Sequence, residues 1–138
     1  MTTQAERVLQ AEVALRLRSW PVIALPVPNG IWVPARTEAE RALVARLIRQ
    51  MKNAGQLVPG APDLIVLWAG GGGMIELKRP SSRSLLGAVP KGRPSDSQIE
   101  MAERAGELGI NHAFGTSWEE VRAALIAWGA PQQARQAA

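Results

Sequence analysis

Residues 62–80 read PDLIVLWAGGGGMIELKRP, two short apolar runs on either side of four glycines. Leu64, Ile65, Val66, Leu67 and Trp68 are strong strand formers, and a Gly-rich stretch of four or five residues is a normal connection between antiparallel strands. The spacing predicts a β-hairpin with Ala69 to Gly72 as its loop, which sets Trp68 opposite Gly73 and Asp63 opposite Lys78. Successive side chains point to opposite faces of a strand, so Glu76 and Lys78 share one face while Ile75 and Leu77 take the other. Asp63 then has Glu76 as its diagonal neighbour, roughly 7–8 Å away at the backbone, near enough for two carboxylates to converge on one small ion. The same residues admit a plainer use: Asp63 as a turn residue after Pro62, and Glu76 with Lys78 as the solvated side of an edge strand. Asp and Glu are poor strand formers, however, and their joint presence in this hairpin calls for a reason.

Composition sets the bounds around that hairpin. A chain of 138 residues suits one domain, here 1–130 with 131–138 as a frayed tail, and buries enough surface to fold without staples. It has no cysteine, which excludes disulfides and thiolate metal sites and fits a reducing cytoplasm. A single histidine, His112, leaves little room for a histidine-based metal site or triad, so a metal here is held by oxygen, as magnesium or manganese prefer. Sixteen basic against twelve acidic residues give a net charge of +4 and a pI near 10.6, which favours a polyanionic partner. No apolar stretch approaches the ~20 residues of a membrane span, and Glu6, Arg7, Glu12 and Arg16 interrupt any signal-peptide core.

Along the chain, residues 4–18 read as a helix ended by Ser19-Trp20-Pro21. Leu9, Val13 and Leu17 form one apolar stripe and Val8, Ala11 and Leu15 its neighbour. Glu6 lies in line with the first stripe and Glu12 within the second, and periodicity does not choose which carboxylate points inward. Pro21 to Val27 is a short strand running into the turn signal Val-Pro-Asn-Gly, with Asn29 and Gly30 at its end. Thr37 to Asn53 is a helix opened by a Thr37/Glu40 capping box, with Leu43, Val44, Leu47, Ile48 and Met51 on its apolar face. Arg41, Arg49 and Lys52 gather on the opposing side, either simply solvated or in contact with a polyanion.

After the hairpin, Ser81 to Pro94 is a Ser-, Gly- and Pro-rich loop that, with Arg79, carries Arg83, Lys91 and Arg93. It is either a mobile surface loop or a cover that folds over a substrate backbone, in which case binding is salt-sensitive. Ser95 or Ser97 caps a helix to about Leu108, where Gln98 is placed to complete a capping box. Ile110 to Gly115 follows as a strand parallel to that of Glu76, and Ser117 with Glu120 caps a last helix carrying Val121, Leu125 and Trp128 inward. The expected order is α-β-α-β-β-α-β-α, a mixed β-sheet flanked by helices.

Pro62-Asp63 followed by Glu76-Leu77-Lys78 resembles the PD-(D/E)XK nuclease signature. Pro28-Asn29-Gly30 upstream, Lys52-Asn53-Ala54-Gly55 leading into Pro59-Gly60-Ala61-Pro62-Asp63-Leu64, Ser95 to Gln98 downstream and Gly109 before the last strand narrow the resemblance to the VRR-NUC family, in particular its small stand-alone phage and bacterial members. The resemblance covers about Glu6 to Trp128 and implies a restriction-endonuclease-like core. It selects Glu6 over Glu12 as the helical carboxylate, through Glu6 followed four residues later by Gln10, and brings Gln98 into the active site. It also implies that Asn29 and Gly30 border a nucleic-acid cleft. The arginine that the family often carries shortly after them is displaced here by Ile31 and Trp32, with Arg36 the nearest candidate.

What the resemblance implies is a metal-dependent DNA endonuclease in which Glu6, Asp63 and Glu76 hold one or two Mg2+ or Mn2+ ions, and Lys78 and Gln98 assist. Arg36, Lys52, Arg79, Arg83, Lys91 and Arg93 are the expected DNA contacts. Small relatives are associated with branched DNA, so a Holliday-junction resolvase-like activity by a homodimer is expected, in the cytoplasm of a bacterial host if the chain is phage-encoded. The alternatives are a nuclease for flaps or linear duplex, and a catalytically silent DNA-binding module whose hairpin charges are salt bridges. A regulatory domain without nucleic acid leaves the basic loop and the PD…ELK arrangement unexplained.

Overall fold

β2 (Leu64–Trp68) and β3 (Gly71–Leu77) form the expected hairpin, but its turn is two residues long rather than four. Trp68 pairs with Gly71 and Leu64 with Ile75, so continuing the register by one residue sets Asp63 opposite Glu76, not Lys78. Gly70, at φ 86°, takes the left-handed conformation that closes the tight turn. Gly71 to Gly73 belong to the strand, and Gly73 has a packing reason: a Cβ there would run into the Trp128 ring. A slip of two residues preserves the side-chain parity, which is why the expected faces survive the corrected register.

The computed structural model describes residues 4–28, 34–84 and 86–132. Asn29, Gly30 and residues 133–138 of the expected tail lie outside them. The other elements are α1 (Gln4–Leu17), β1 (Ile23–Pro26), α2 (Glu38–Asn53), β4 (Ser82–Ser84), β5 (Gly87–Val89), α3 (Asp96–Glu107), β6 (His112–Gly115) and α4 (Trp118–Ala127). The main sheet has the order β1-β2-β3-β6, antiparallel except for the β3–β6 pair, which is parallel as the crossover through α3 requires. The chain is therefore mixed α/β, a small mixed sheet flanked by helices. Among the described residues no helix is long and apolar enough to cross a membrane.

One face of the sheet carries the core. Leu64, Val66, Ile75 and Leu77 meet Leu9, Val13 and Leu17 of α1 and Val121 and Leu125 of α4, with Trp20 edge-on to Trp118 at 5.8 Å. The stripe expected on α1 thus packs as its spacing requires. The stripe on α2 does not: Leu43 and Leu47 are 53% and 44% exposed and no residue of the helix is buried. α1 and α4 already occupy the apolar face of the sheet, and the α2 stripe finds no place there.

Two further departures concern the connections. The first strand is shorter than the expected Pro21 to Val27. The loop from Ser81 contains a small hairpin, β4 pairing with β5, that its Ser, Gly and Pro content conceals.

Candidate active site

Three elements deliver the charged residues to one end of the sheet. Asp63 stands immediately before β2, Glu76 lies within β3 and Lys78 follows it. All three are buried. Asp63 Oδ2 accepts the Leu77 N–H at 2.7 Å, so this carboxylate is locked across the hairpin at the place where the ladder of β2 runs out. Lys78 N–H continues the ladder to Gly115 O at 2.8 Å, which fixes the backbone and aims its side chain to the Glu76 face. Lys78 Nζ then reaches Glu76 Oε1 at 3.2 Å.

α1 brings Glu6 to the same place. Its Oε1 accepts the Arg79 N–H at 3.1 Å, at the exit of the strand that carries Glu76 and Lys78. Glu12 instead lies on the surface, paired with Arg16 at 3.0 Å one turn away. The two carboxylates that periodicity left equivalent are thus separated by position, Glu6 at the site and Glu12 away from it.

α3 supplies Gln98 from its first turn. Ser95 Oγ accepts the Gln98 N–H, and Gln98 Oε1 accepts the Ser95 N–H at 2.9 Å, a complete capping box. The same Oε1 also accepts from Lys78 Nζ at 2.6 Å, while Gln98 Nε2 donates to Glu76 Oε1. Gln98 therefore completes the expected capping box and reaches the charge cluster with the two ends of one amide: its oxygen caps the helix and receives the lysine, and its nitrogen donates to the glutamate.

Glu76 is the electrostatic centre. It is 3% exposed, and its Oε2 has no hydrogen-bond partner among the described residues. Burial pushes its carboxyl up, the charge of Asp63 adds to the effect and Glu6 contributes further, while Lys78 pulls the other way; the outcome is about 7 against an ordinary 4.5. A buried carboxylate repelled by two others holds its charge poorly without a cation. The donor set, three carboxylates with no thiol or imidazole, suits a hard divalent ion, and the orphan Oε2 is an unused acceptor. As they stand, no three Asp, Glu, His or Cys side chains among the described residues are grouped closely enough to hold a metal.

Of the basic residues, Arg79 is differently employed than expected. Its Nη2 donates to Pro90 O at 2.9 Å and its carbonyl accepts the Gly92 N–H at 2.8 Å, so it ties down the far end of the loop that it begins. Lys91 and Arg93 stand on either side of Gly92, and a Cβ on Gly92 would lie 3.5 Å from Glu6 Oε1. That approach brings the backbone of this segment to the edge of the carboxylates, with Lys91 and Arg93 exposed on either side of it. The tighter contact of that Cβ would be the Arg79 nitrogen at 3.2 Å, so Gly92, unrecognised in the sequence, eases the packing of the loop on its own start. Arg83 is carried by β4. Arg36 and Lys52 stand at the two ends of α2, and among the described residues no hydrogen bond or ion pair joins either side chain to the site. His112, on β6, packs edge-on to Phe114 at 5.0 Å; burial lowers its pKa, as for a structural histidine.

Compared with protein-family models, curated proteins and solved structures, the chain finds no match in any of the three.

Proposed function

We propose that this chain is a divalent-metal-dependent DNA endonuclease with a restriction-endonuclease-like core of the VRR-NUC type, working on DNA in the cytoplasm. The observation that carries the proposal is Glu76: a buried carboxylate with an unpartnered oxygen, raised to about 7 and facing Asp63, Glu6 and Lys78. Its desolvation is costly, and such arrangements concentrate at functional sites. A hairpin that needed only a salt bridge would be served by Lys78 and one carboxylate, leaving two in excess.

Glu6, Asp63 and Glu76 would hold one or two magnesium or manganese ions, which when bound supply charge neutralisation at the scissile phosphate, a more acidic water and stabilisation of the leaving oxygen. Lys78 adds positive charge where the pentavalent transition state accumulates negative charge. Gln98 keeps Lys78 and Glu76 in register with each other. Lys91 and Arg93 meet the phosphates flanking the cut, with Arg79 holding their loop in place.

Branched DNA is the proposed substrate, and symmetrical cutting of a junction calls for a homodimer. Trp128 packs against the core and is spent there, whereas Val8 and Leu15 on α1 and Leu43 and Leu47 on α2 are exposed and available for a partner copy.

The test is cleavage of a labelled four-way junction beside linear duplex of the same sequence, with magnesium, manganese or chelator, for wild type and Glu76→Ala. Metal-dependent cutting lost in the variant is expected, with the junction preferred. Tight binding with no cutting in any metal overturns the enzyme in favour of a silent binding module. Light scattering of the protein with and without junction reads the dimer.

A further inference from the structure

The turn before Asp63 has a feature that hairpin chemistry alone does not require. Val58-Pro59-Gly60-Ala61 closes with Ala61 N–H donating to Val58 O at 3.0 Å, and Gly60 sits at φ 74°. Proline second and a left-handed glycine third is the pattern of a type II turn. Gly60 is also pressed against α3: a Cβ there would strike the Ser97 carbonyl oxygen, lie 2.5 Å from the Ser97 carbonyl carbon and 3.1 Å from Gln98 N. These are backbone atoms in the first turn of a helix and cannot swing aside as a flexible side chain would. Three residues further on, the same segment delivers Asp63 Oδ2 to Leu77 N–H at 2.7 Å.

We propose that Gly60 is a positioning residue of the site: its bare backbone lets the Asp63 segment lie against the first turn of α3, and this contact holds the Gln98 amide between Glu76 and Lys78. A side chain at 60 displaces that turn and pulls Gln98 Oε1 from Lys78 Nζ, now at 2.6 Å, and Gln98 Nε2 from Glu76 Oε1. The role of Gln98 in cleavage rests on the nuclease proposal; the coupling between Gly60 and Gln98 does not.

The molecule contains its own control. Gly55 and Gly70 have φ of 71° and 86°, as left-handed as Gly60, and a Cβ at either would meet nothing within 4 Å. Alanine at any of the three imposes similar backbone strain. Only at 60 does it also meet another part of the chain.

Side-chain amide resonances of Gln98 are compared in wild type, Gly60→Ala and Gly70→Ala, without metal or DNA. The Gln98 NH2 protons are expected to move toward free-amide positions in Gly60→Ala and to stay in place in Gly70→Ala. If Gly60→Ala does not fold, Pro59→Ala loosens the turn without adding a Cβ at 60, and a smaller movement of the same resonances is expected. In junction cleavage, Gly60→Ala is expected to lower kcat about 10–100-fold with little change in KM, as loss of a group that orients the site would. The same substitution is expected to have no further effect in a Gln98→Ala background, because the two act through one contact. Unmoved Gln98 resonances in Gly60→Ala, or a kcat loss that multiplies with that of Gln98→Ala, would overturn the proposal. If wild type cuts nothing in any metal, the nuclease proposal fails while the resonances still decide the coupling.

Discussion

At the start of α2 the Thr37 hydroxyl accepts the Glu40 N–H and the Glu40 carboxylate accepts the Thr37 N–H at 3.1 Å; at the start of α3, Ser95 and Gln98 make the same exchange. Locally the two boxes are equivalent, and each satisfies backbone donors that a helix end leaves open. Their surroundings differ. Glu40 is solvent-exposed, and hydrogen bonds from the Arg36 and Thr37 N–H groups hold its carboxyl below the ordinary value. Gln98 is half-buried and extends its amide to Glu76 and Lys78. One capping motif ends at the helix it caps; the other is wired into a buried charge cluster. The difference also explains the amide: a carboxylate in place of Gln98 would cap as well but would face Glu76 with a like charge and no donor.

The largest expected effect comes from removing what the α3 box is wired to. Glu76→Gln should lower the single-turnover cleavage rate by about 10^3-fold or more, since it removes a charge of the proposed metal set, while circular dichroism shows α2 and α3 intact. A wild-type rate in this variant would leave the two boxes functionally alike.

Next in size is a contrast in pH dependence. Glu76 in the folded chain is raised from 4.5 to about 7, so the folded state binds the proton more tightly than the unfolded one. The resulting stability is fully present below about pH 4.5 and is lost as pH rises through 7, up to roughly 3 kcal/mol in the metal-free protein. Denaturant unfolding in EDTA between pH 5 and 8 should show this decline, Glu76→Gln should flatten it, and magnesium or manganese should restore stability at the upper end. Glu40 runs with the opposite sign: its depressed pKa favours the folded state above its ordinary value, and that support is lost as pH falls below it.

Gln98→Glu exchanges one box for the chemistry of the other. The cap should survive, so Tm changes little, whereas cleavage should fall about 10–100-fold because the Glu76 donor is replaced by a repelling charge. Glu40→Gln, the reverse exchange in α2, should leave cleavage unchanged in the same assay. A cleavage loss in Glu40→Gln would show that α2 takes part in the site after all.

Smallest are the caps themselves. Thr37→Ala and Ser95→Ala should each destabilise by about 1 kcal/mol in urea unfolding. Only Ser95→Ala should also slow cleavage, by loosening the turn that carries Gln98.

The helices with caps and stripes were readable, as were the hairpin and the shared face of Glu76 and Lys78, because each rests on neighbours within a few residues; the parallel last strand was readable because a strand-helix-strand crossover leaves it that direction. The hairpin register was not. The glycine run offers several equally good turns, and nothing within a few residues of it separates registers that differ by two and keep the same faces. The β4–β5 pair was hidden for a related reason: strands of three residues carry too little periodicity to stand out from a loop. The exposure of α2 was invisible because an amphipathic stripe states only that a face is apolar, not that a place for it remains.

Local sequence determined by itself the helices α1 to α4, the main strands and which side chains share a face, since those follow from backbone geometry and the alternation of apolar residues. Periodicity left Glu6 and Glu12 equivalent and gave Gln98 only its cap, and a resemblance pointed to Glu6 and Gln98; tertiary structure decided that Glu6 reaches the sheet end, that Asp63 stands across from Glu76, and that one capping glutamine joins the charge cluster while a capping glutamate elsewhere does not. These outcomes depend on how elements far apart in the chain share one small buried volume. Desolvation and charge repulsion act only once they have been brought there.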